Sequence, residues 1–533
     1  MWKAILAALL ILLASKAARG QPAPATGSIS GQVINVATGL PVAGAIVKGE
    51  SDKWYGHAIT DPAGHYLLQG LPPGTATVIA HLTANEEDGL AYATRTATLR
   101  AGEDLKSLDL RIRPQGKISG KVVNRNNQPL SGMQVFLIAR EYAWGALRYF
   151  YADSANTDDA GQYHLVHAEP GRAYLLMVNK HSEFDTVSTA PADPAQRQQI
   201  TATTFYPGVT AIDTASPITL RPGESREGMD VMMGNAPSFC IDGKALTGKY
   251  TGSLDIQLHM PVPAVGKFGG QSEVGDFLDG DWGKINSGAT FRICDIPPGT
   301  WRISAAGGAT LNQSFHGSEL VSIASADLHN LTIPSHEPFL LEGDVVWDGA
   351  PPDKPVRTII AISLAQFTYG QEMDSTLPGE FRIRYAMPEY GATVTGLPQG
   401  MYVKDILYGD RSVLGQPLGE SDPSAKNRLR VIVARDGSFI QAKSSAGAWL
   451  TVIPATADTE SAIAFSHVSG QADQSGMWKS PALAPGKYYV LASDAPAYMT
   501  PETIAKIMLK RLVADPVELG ATSTVTAIAK DLE

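Results

Sequence analysis

The 533-residue chain holds only two cysteines, Cys240 and Cys294, so it is not a small scaffold stapled by many disulfides. Charged residues are scarce at 18%, while 44% are hydrophobic, and disorder is excluded as the main state. No stripe of Lys and Arg occurs and the formal net charge is −10, which argues against nucleic acid as a partner. After the first twenty residues no apolar run is long enough to span a bilayer. There is no G-x-S-x-G elbow and no glycine-rich phosphate loop. Helical periodicity is scarce. What remains is a chain of short alternating segments broken by glycine and proline, which is an all-β pattern.

The start of the chain reads as a targeting segment. Met1-Trp2-Lys3 is a short basic start, Ala4 to Ala14 is apolar, and small residues follow up to Gly20. Residues 1–20 are therefore expected to be a signal peptide, with 21–26 as a linker. Cleavage before Gln21 removes Lys3, Lys16 and Arg19 and no acid, so the formal charge moves from −10 to −13. The protein is expected to be exported, to the periplasm, the outer surface or the medium, with no stable membrane span after cleavage.

One phrase organises the rest. In Thr60 to Gly74, Asp61 to Gly64 is a tight turn, Tyr66 to Gln69 a short strand, and Leu71-Pro72-Pro73-Gly74 a second turn. The phrase returns at Thr157 to Gly171, Ser287 to Gly299, Tyr390 to Gly400 and Gly476 to Gly486. Five copies predict five modules. Module 1 is set at 27–114, module 2 at 115–235, module 3 at 236–336, module 4 at 337–436 and module 5 at 437–533. The equivalent opening positions are read as Gly31, Gly120, Gly243, Gly343 and Lys443. A spacing near one hundred residues suits a β-sandwich of about seven strands. Module 2 carries an insertion, Asp185 to Pro207, expected to be a surface loop. Module 5 holds the one clear helix, with Thr500 as N-cap, Pro501 first, and Ile504, Ile507, Met508 and Leu512 as its apolar stripe.

Modules 1 and 2 carry the pattern that identifies a family. It runs Ser30-Gly31-Gln32-Val33, Pro41-Val42-Ala43-Gly44, Thr60-Asp61, Gly64-His65-Tyr66 and Pro72-Pro73-Gly74. This resembles the carboxypeptidase regulatory-like domain, which implies a transthyretin-like, Ig-like β-sandwich. Modules 3 to 5 keep the hairpin and lose much of the opening. The tandem layout resembles exported acidobacterial proteins with this domain. The fold class is thus expected to be all-β, a tandem array of about five such sandwiches. The family pattern is specific for fold and nearly silent on activity. The chain is read as a non-catalytic protein at the cell envelope or outside the cell. The resemblance to starch-binding-like relatives implies a carbohydrate ligand, with a protein partner equally open. A purely structural spacer is the alternative.

Several residues are candidates for chemistry. A zinc peptidase needs an H-x-x-E pair and a distant second His. His316-Gly317-Ser318-Glu319 has that form, but no catalytic domain surrounds it, and a solvated loop is the preferred reading. His164 and His167 are three apart in a strand and are not read as a chelating pair. Asp276 to Asp281 lacks the spacing of a calcium loop. The closing strands 108–112 and 229–233 contain no Asn, which argues against a Lys–Asn isopeptide there. No catalytic residue, metal or cofactor is assigned. Tyr142, Trp144, Arg148, Tyr149 and Tyr151 form an aromatic and basic cluster in module 2, read as a candidate ligand face, with ordinary sandwich core as the other reading. Trp54 and Tyr55 sit at the comparable place in module 1. Cys240 alternates with Phe239 and Ile241, and Cys294 with Phe291 and Ile293. If the two strands are neighbours the pair is a disulfide, and otherwise two free thiols.

Overall fold

The computed structural model describes residues 25–82, 91–143, 146–180, 199–246, 254–259, 284–285, 290–307, 315–334, 339–350, 359–366, 369–386, 390–419 and 428–532. The expected signal peptide, most of the linker, Trp144 and Asp276 to Asp281 lie outside them. The protein is all-β. The chain divides into two compact units, the first ending at Arg113 and the second running from Pro114.

Strand pairing closes within five successive stretches, and each repeats one wiring. In module 1 the opening strand Gly27–Asn35 pairs antiparallel with His65–Leu71 and parallel with Leu110–Pro114. Beside them run Trp54–Ile59, Ile46–Ser51, Gly74–His81 and Ala91–Leu99, each antiparallel to the next. Alternation drives the packing: Tyr66, Leu68 and Leu71 point inward and meet Ile29, Val47, Val78 and Leu110. The opening strands of the other modules are Gly116–Val123, Phe239–Ala245, Phe339–Trp347 and Phe439–Lys443. Their antiparallel partners are Gln162–Ala168, Thr290–Ile296, Gly379–Ala386 and Met477–Lys479. Their parallel partners are Val231–Met232, Leu328–Ile333, Arg428–Ala434 and Thr524–Ile528.

The motif residues have specific tasks. Asp61 Oδ1 accepts the backbone N–H of Ala63 and His65, and Asp158 does the same for Ala160 and Gln162. Thr60 Oγ1 donates to the Val42 carbonyl and accepts from the Ala45 N–H, tying the turn to the second strand. Gly31 lies opposite Tyr66, and Gly120 opposite Tyr163. A Cβ on either glycine would collide with the carbonyl of Leu108 or Met229, where the returning chain crosses. The facing tyrosine donates its hydroxyl to that same carbonyl, Tyr66 to Leu108 at 2.6 Å and Tyr163 to Met229 at 2.5 Å. The motif glycine and tyrosine thus form one device: one admits a carbonyl and the other satisfies it.

This register corrects several expectations. Gly243 faces Phe291 and Gly343 faces Phe381, but in module 5 Ala442, not Lys443, faces the aromatic Trp478. Lys443 lies one residue past that position, opposite Met477. The fourth hairpin copy, expected at Tyr390 to Gly400, lies one strand earlier. The partner of the module 4 opening strand is Gly379–Ala386, and Gly391–Thr395 pairs instead with Ile359–Gln366. The end of the module 2 insertion is not a surface loop. Thr204–Phe205 pairs with Met177 and Val178, and Phe205 is fully buried. Helix α1, Glu460–Ser466, was not foreseen; Thr459 caps it. Helix α2, Pro501–Arg511, has Thr500 as N-cap and buries Ile504 and Ile507. Leu512 lies past its end and is exposed, so it does not belong to the buried stripe.

Candidate functional site

The aromatic cluster of module 2 lies on a long hairpin, Met133–Ala143 and Ala146–Asn156. Its register sets Ile138 opposite Tyr151, Arg140 opposite Tyr149, and Tyr142 opposite Leu147. Tyr142, Tyr149 and Tyr151 therefore share one face with Phe136 and Ile138. Arg148 lies opposite Glu141 and belongs to the other face, with Phe150. That other face covers the module's own core, through Val135, Leu137 and Ala139.

The face carrying the tyrosines is covered. Phe136, Ile138 and Tyr149 join a single cluster with Ile241, Phe291, Trp301 and Ile303 of module 3, and Tyr151 packs against it. Tyr149 is only 8% exposed, and burial pushes its hydroxyl pKa up. Tyr142 packs on the helical part of module 5, beside Ile463, Ile504 and Ile507. Its N–H donates to the Met499 carbonyl at 2.7 Å and its hydroxyl donates to Glu460. Burial and the Glu460 carboxylate push the Tyr142 hydroxyl up to about 12. Tyr149 is thus closed to a stacking ligand, and Tyr142 and Tyr151 are half-buried. Of the two readings of this cluster, a ligand face or ordinary core, the burial of Tyr149 accords with the second.

Charged groups complete the joint with module 5. Arg140 donates to Glu502 at 2.6 Å. Arg172, 5% exposed, donates to Glu141 and reaches Glu169 at 3.3 Å. Its guanidinium sits 4.9 Å from the centroid of the Tyr498 ring, whose hydroxyl donates to Glu169 at 2.8 Å. Burial opposes the charge on Arg172, but Glu141 and Glu169 outweigh it, and its pKa lies above the ordinary arginine value. Sequence reading missed Glu141, Glu169, Arg172, Glu460, Tyr498 and Glu502. Their only signal was the charge pairs flanking the aromatics, which any solvated strand also shows.

Cys240 and Cys294 are joined as a disulfide across the antiparallel pair Phe239–Ala245 and Thr290–Ile296. His316 and Glu319 lie on the strand Phe315–Ile323, not in a loop. Positions three apart on a strand fall on opposite faces, so this spacing does not suit shared chelation. Among the described residues no group of three or more His, Cys, Asp or Glu is placed to hold a metal ion. His164 is exposed, and His167 is half-buried with Nδ1 3.3 Å from Asp153. Where modules 2 and 3 meet, a cleft of about 410 Å³ is lined by Thr203, Ile212, Asp213, Pro297, Pro298 and Trp301.

The fold and this joint define a multi-module β-sandwich protein with sandwiches packed face to face. No protein-family model matches the chain, and no curated protein matches it. Among solved structures it is similar to the TIE protein of Bacillus anthracis, at 12% identity over 58% of this chain and 51% of that one, with a TM-score of 0.17. The chain thus spans about half the length of that protein. It is also similar to a streptococcal ancillary pilin, at 12% identity over 58% of this chain and 99% of that one, TM-score 0.18. A minor pilin of Streptococcus agalactiae matches at 11% identity over 40% of this chain and 97% of that one, TM-score 0.22. Scores this low carry no conclusion about function. Among the described residues no helix is long and apolar enough to cross a membrane.

Proposed function

We propose that the protein is an exported, non-catalytic scaffold in which modules 2, 3 and 5 are locked into one block. One observation carries this reading. The module 2 hairpin, whose aromatic face would otherwise be free for a ligand, is covered by module 3 along Tyr149 and by module 5 at Tyr142. Flexible binding modules on a string would leave such a face open. The resemblance to the carboxypeptidase regulatory-like domain supports the sandwich fold on which this scaffold is built. The leader-like first twenty residues support export. An Arg140→Ala, Tyr142→Ala chain should lose on the order of 2 kcal/mol at the joint. Calorimetry on the parent should show modules 2, 3 and 5 melting together, and the variant should show module 5 melting earlier by itself. Separate melting already in the parent would count against a locked block.

A binding role for a carbohydrate or an envelope protein is the finer reading, and the cleft at the module 2 and 3 junction favours it. Its size falls in the range of small-ligand sites, and its lining includes the exposed Asp213 carboxylate. On a glycan array the chain from Gln21 should retain neutral sugars, and Ile212→Asp with Asp213→Ala should weaken them roughly tenfold. No retained glycan would shift the reading to a protein partner or a spacer.

A further inference from the structure

A cleft of about 500 Å³ lies where modules 4 and 5 join, a size within the range of small-ligand sites. One wall is the module 4 turn Gly396 to Gly400 with Tyr402 after it. The other is Phe439 and the segment Lys479 to Ala482 of module 5. Both walls are fixed. The Gly437 N–H donates to the Gly400 carbonyl at 3.2 Å. A Cβ on Gly437 would stand 2.6 Å from that oxygen, so glycine lets the two modules meet there. Ser480 Oγ accepts the Ile440 N–H at 3.0 Å and donates to the Pro481 carbonyl at 2.8 Å, which holds the second wall. The Tyr402 hydroxyl donates to Asp436 at 3.2 Å. Burial and the Asp436 carboxylate push that hydroxyl up to about 12, so the ring stays neutral.

Charge decides the occupant. The lining holds one cation, Lys479, and no carboxylate. Among the described residues no acid pairs with Lys479, whose Nζ sits 3.9 Å from the centroid of the Phe439 ring. A ring orients an ammonium without cancelling its charge, so the cation is left for an incoming anion. Asp436 is bound by Tyr402 and does not line the cleft. Beside Lys479 the lining is apolar, with Leu397, Pro398, Phe439 and Pro481. A dianionic phosphate would find a single ammonium there and no guanidinium fork. A neutral sugar would leave the cation unused. We propose that this cleft binds a monocarboxylate with an apolar body. The carboxylate pairs with Lys479, and the body lies along Leu397, Pro398 and Phe439. A free organic acid and the C-terminal residue of a peptide both have this chemistry. The site is separate from the cleft between modules 2 and 3, and it does not depend on the locked block.

The test is titration calorimetry of the whole chain from Gln21 with 3-phenylpropionate, and with 3-phenylpropionamide as its uncharged twin. The acid should bind roughly tenfold more tightly than the amide, and added salt should narrow the gap. Lys479→Met keeps the reach of the side chain and removes its charge, so it should bring the acid down to the level of the amide. Lys479 is exposed, so an unchanged melting temperature verifies the fold of this variant. Gln399→Glu, at an exposed lining position, should weaken the acid and leave the amide unmoved. Two short peptides ending in Phe, one with a free and one with an amidated C-terminus, separate the two sources. Tighter binding of the free-ended peptide than of 3-phenylpropionate assigns a chain end, and weaker binding assigns a small acid. The proposal is overturned if neither compound binds, if acid and amide bind alike, or if Lys479→Met holds the acid as the parent does. Such a failure leaves the locked block standing, because neither variant touches the joint of modules 2, 3 and 5.

Discussion

An Arg172→Ala chain should be less stable than its parent by about 3–5 kcal/mol, the cost of leaving buried charges without a partner. The Arg172 side chain is 6% exposed, and the two carboxylates it holds, Glu141 and Glu169, are 15% and 18% exposed. Removing the guanidinium leaves both acids poorly solvated, and it strips the Tyr498 ring of the cation stacked on it. Glu169 keeps the Tyr498 hydroxyl, so the loss is not total. The proper control is Arg140→Ala. Its partner Glu502 is 42% exposed and can be solvated in place, so that change should cost about 1 kcal/mol or less. Urea unfolding of the full chain reads both. If Arg172→Ala lies within about 1 kcal/mol of the parent, water reaches these acids and the network is not a buried one. Arg140 lies on the strand Met133–Ala143, and Arg172 directly precedes Ala173–Lys180, the strand that pairs with it.

The repeat unit was legible because its signals are local. A Thr-Asp turn, a positive-φ glycine and a Pro-Gly turn are each decided by a few neighbouring residues, and modules 1 and 2 carry all of them. Module 4 shows where that fails. Its partner strand begins Gly379-Glu380-Phe381-Arg382-Ile383, close to Thr290-Phe291-Arg292-Ile293 of module 3, but it lacks the Asp turn. The later Leu397-Pro398-Gln399-Gly400 turn drew the reading one strand too far. In module 5 the turn survives as Asp473, which accepts from Ser475 and Met477, and it marks the register that Lys443 obscured. The surroundings of the aromatic cluster are illegible in the sequence for a different reason. Alternation tells which residues share a face, and Tyr142, Tyr149 and Tyr151 do. It cannot tell whether solvent or another module covers that face. The cover comes from Phe291, Trp301 and Ile463, more than one hundred residues away along the chain. Only tertiary packing carries that information, and Leu512 fails in the same way, apolar in pattern but left uncovered.

Loss of the Cys240–Cys294 bond should cost about 4 kcal/mol, from the chain entropy released when a loop with a sequence separation of 54 is no longer closed. The side chains add to this. Cys240 is fully buried and Cys294 is 4% exposed. Alanine at both positions is therefore a better test than serine, which would bury two hydroxyls without assured partners. The effect should not stop at module 3. Ile241, Phe291 and Ile293, which flank the two cysteines, belong to the same apolar cluster as Phe136, Ile138 and Tyr149 of module 2. Loosening the strand pair Phe239–Ala245 and Thr290–Ile296 thus loosens one wall of the module 2 hairpin. Cys240→Ala with Cys294→Ala should lower the melting of modules 2 and 3 together. The parent treated with dithiothreitol should fall to nearly the same value, and the variant should not respond to the reagent. A parent whose melting is indifferent to reduction would show that the bond is absent or adds nothing. A drop confined to module 3 would show that the shared cluster does not couple the two sandwiches, and the locked block would lose its main support.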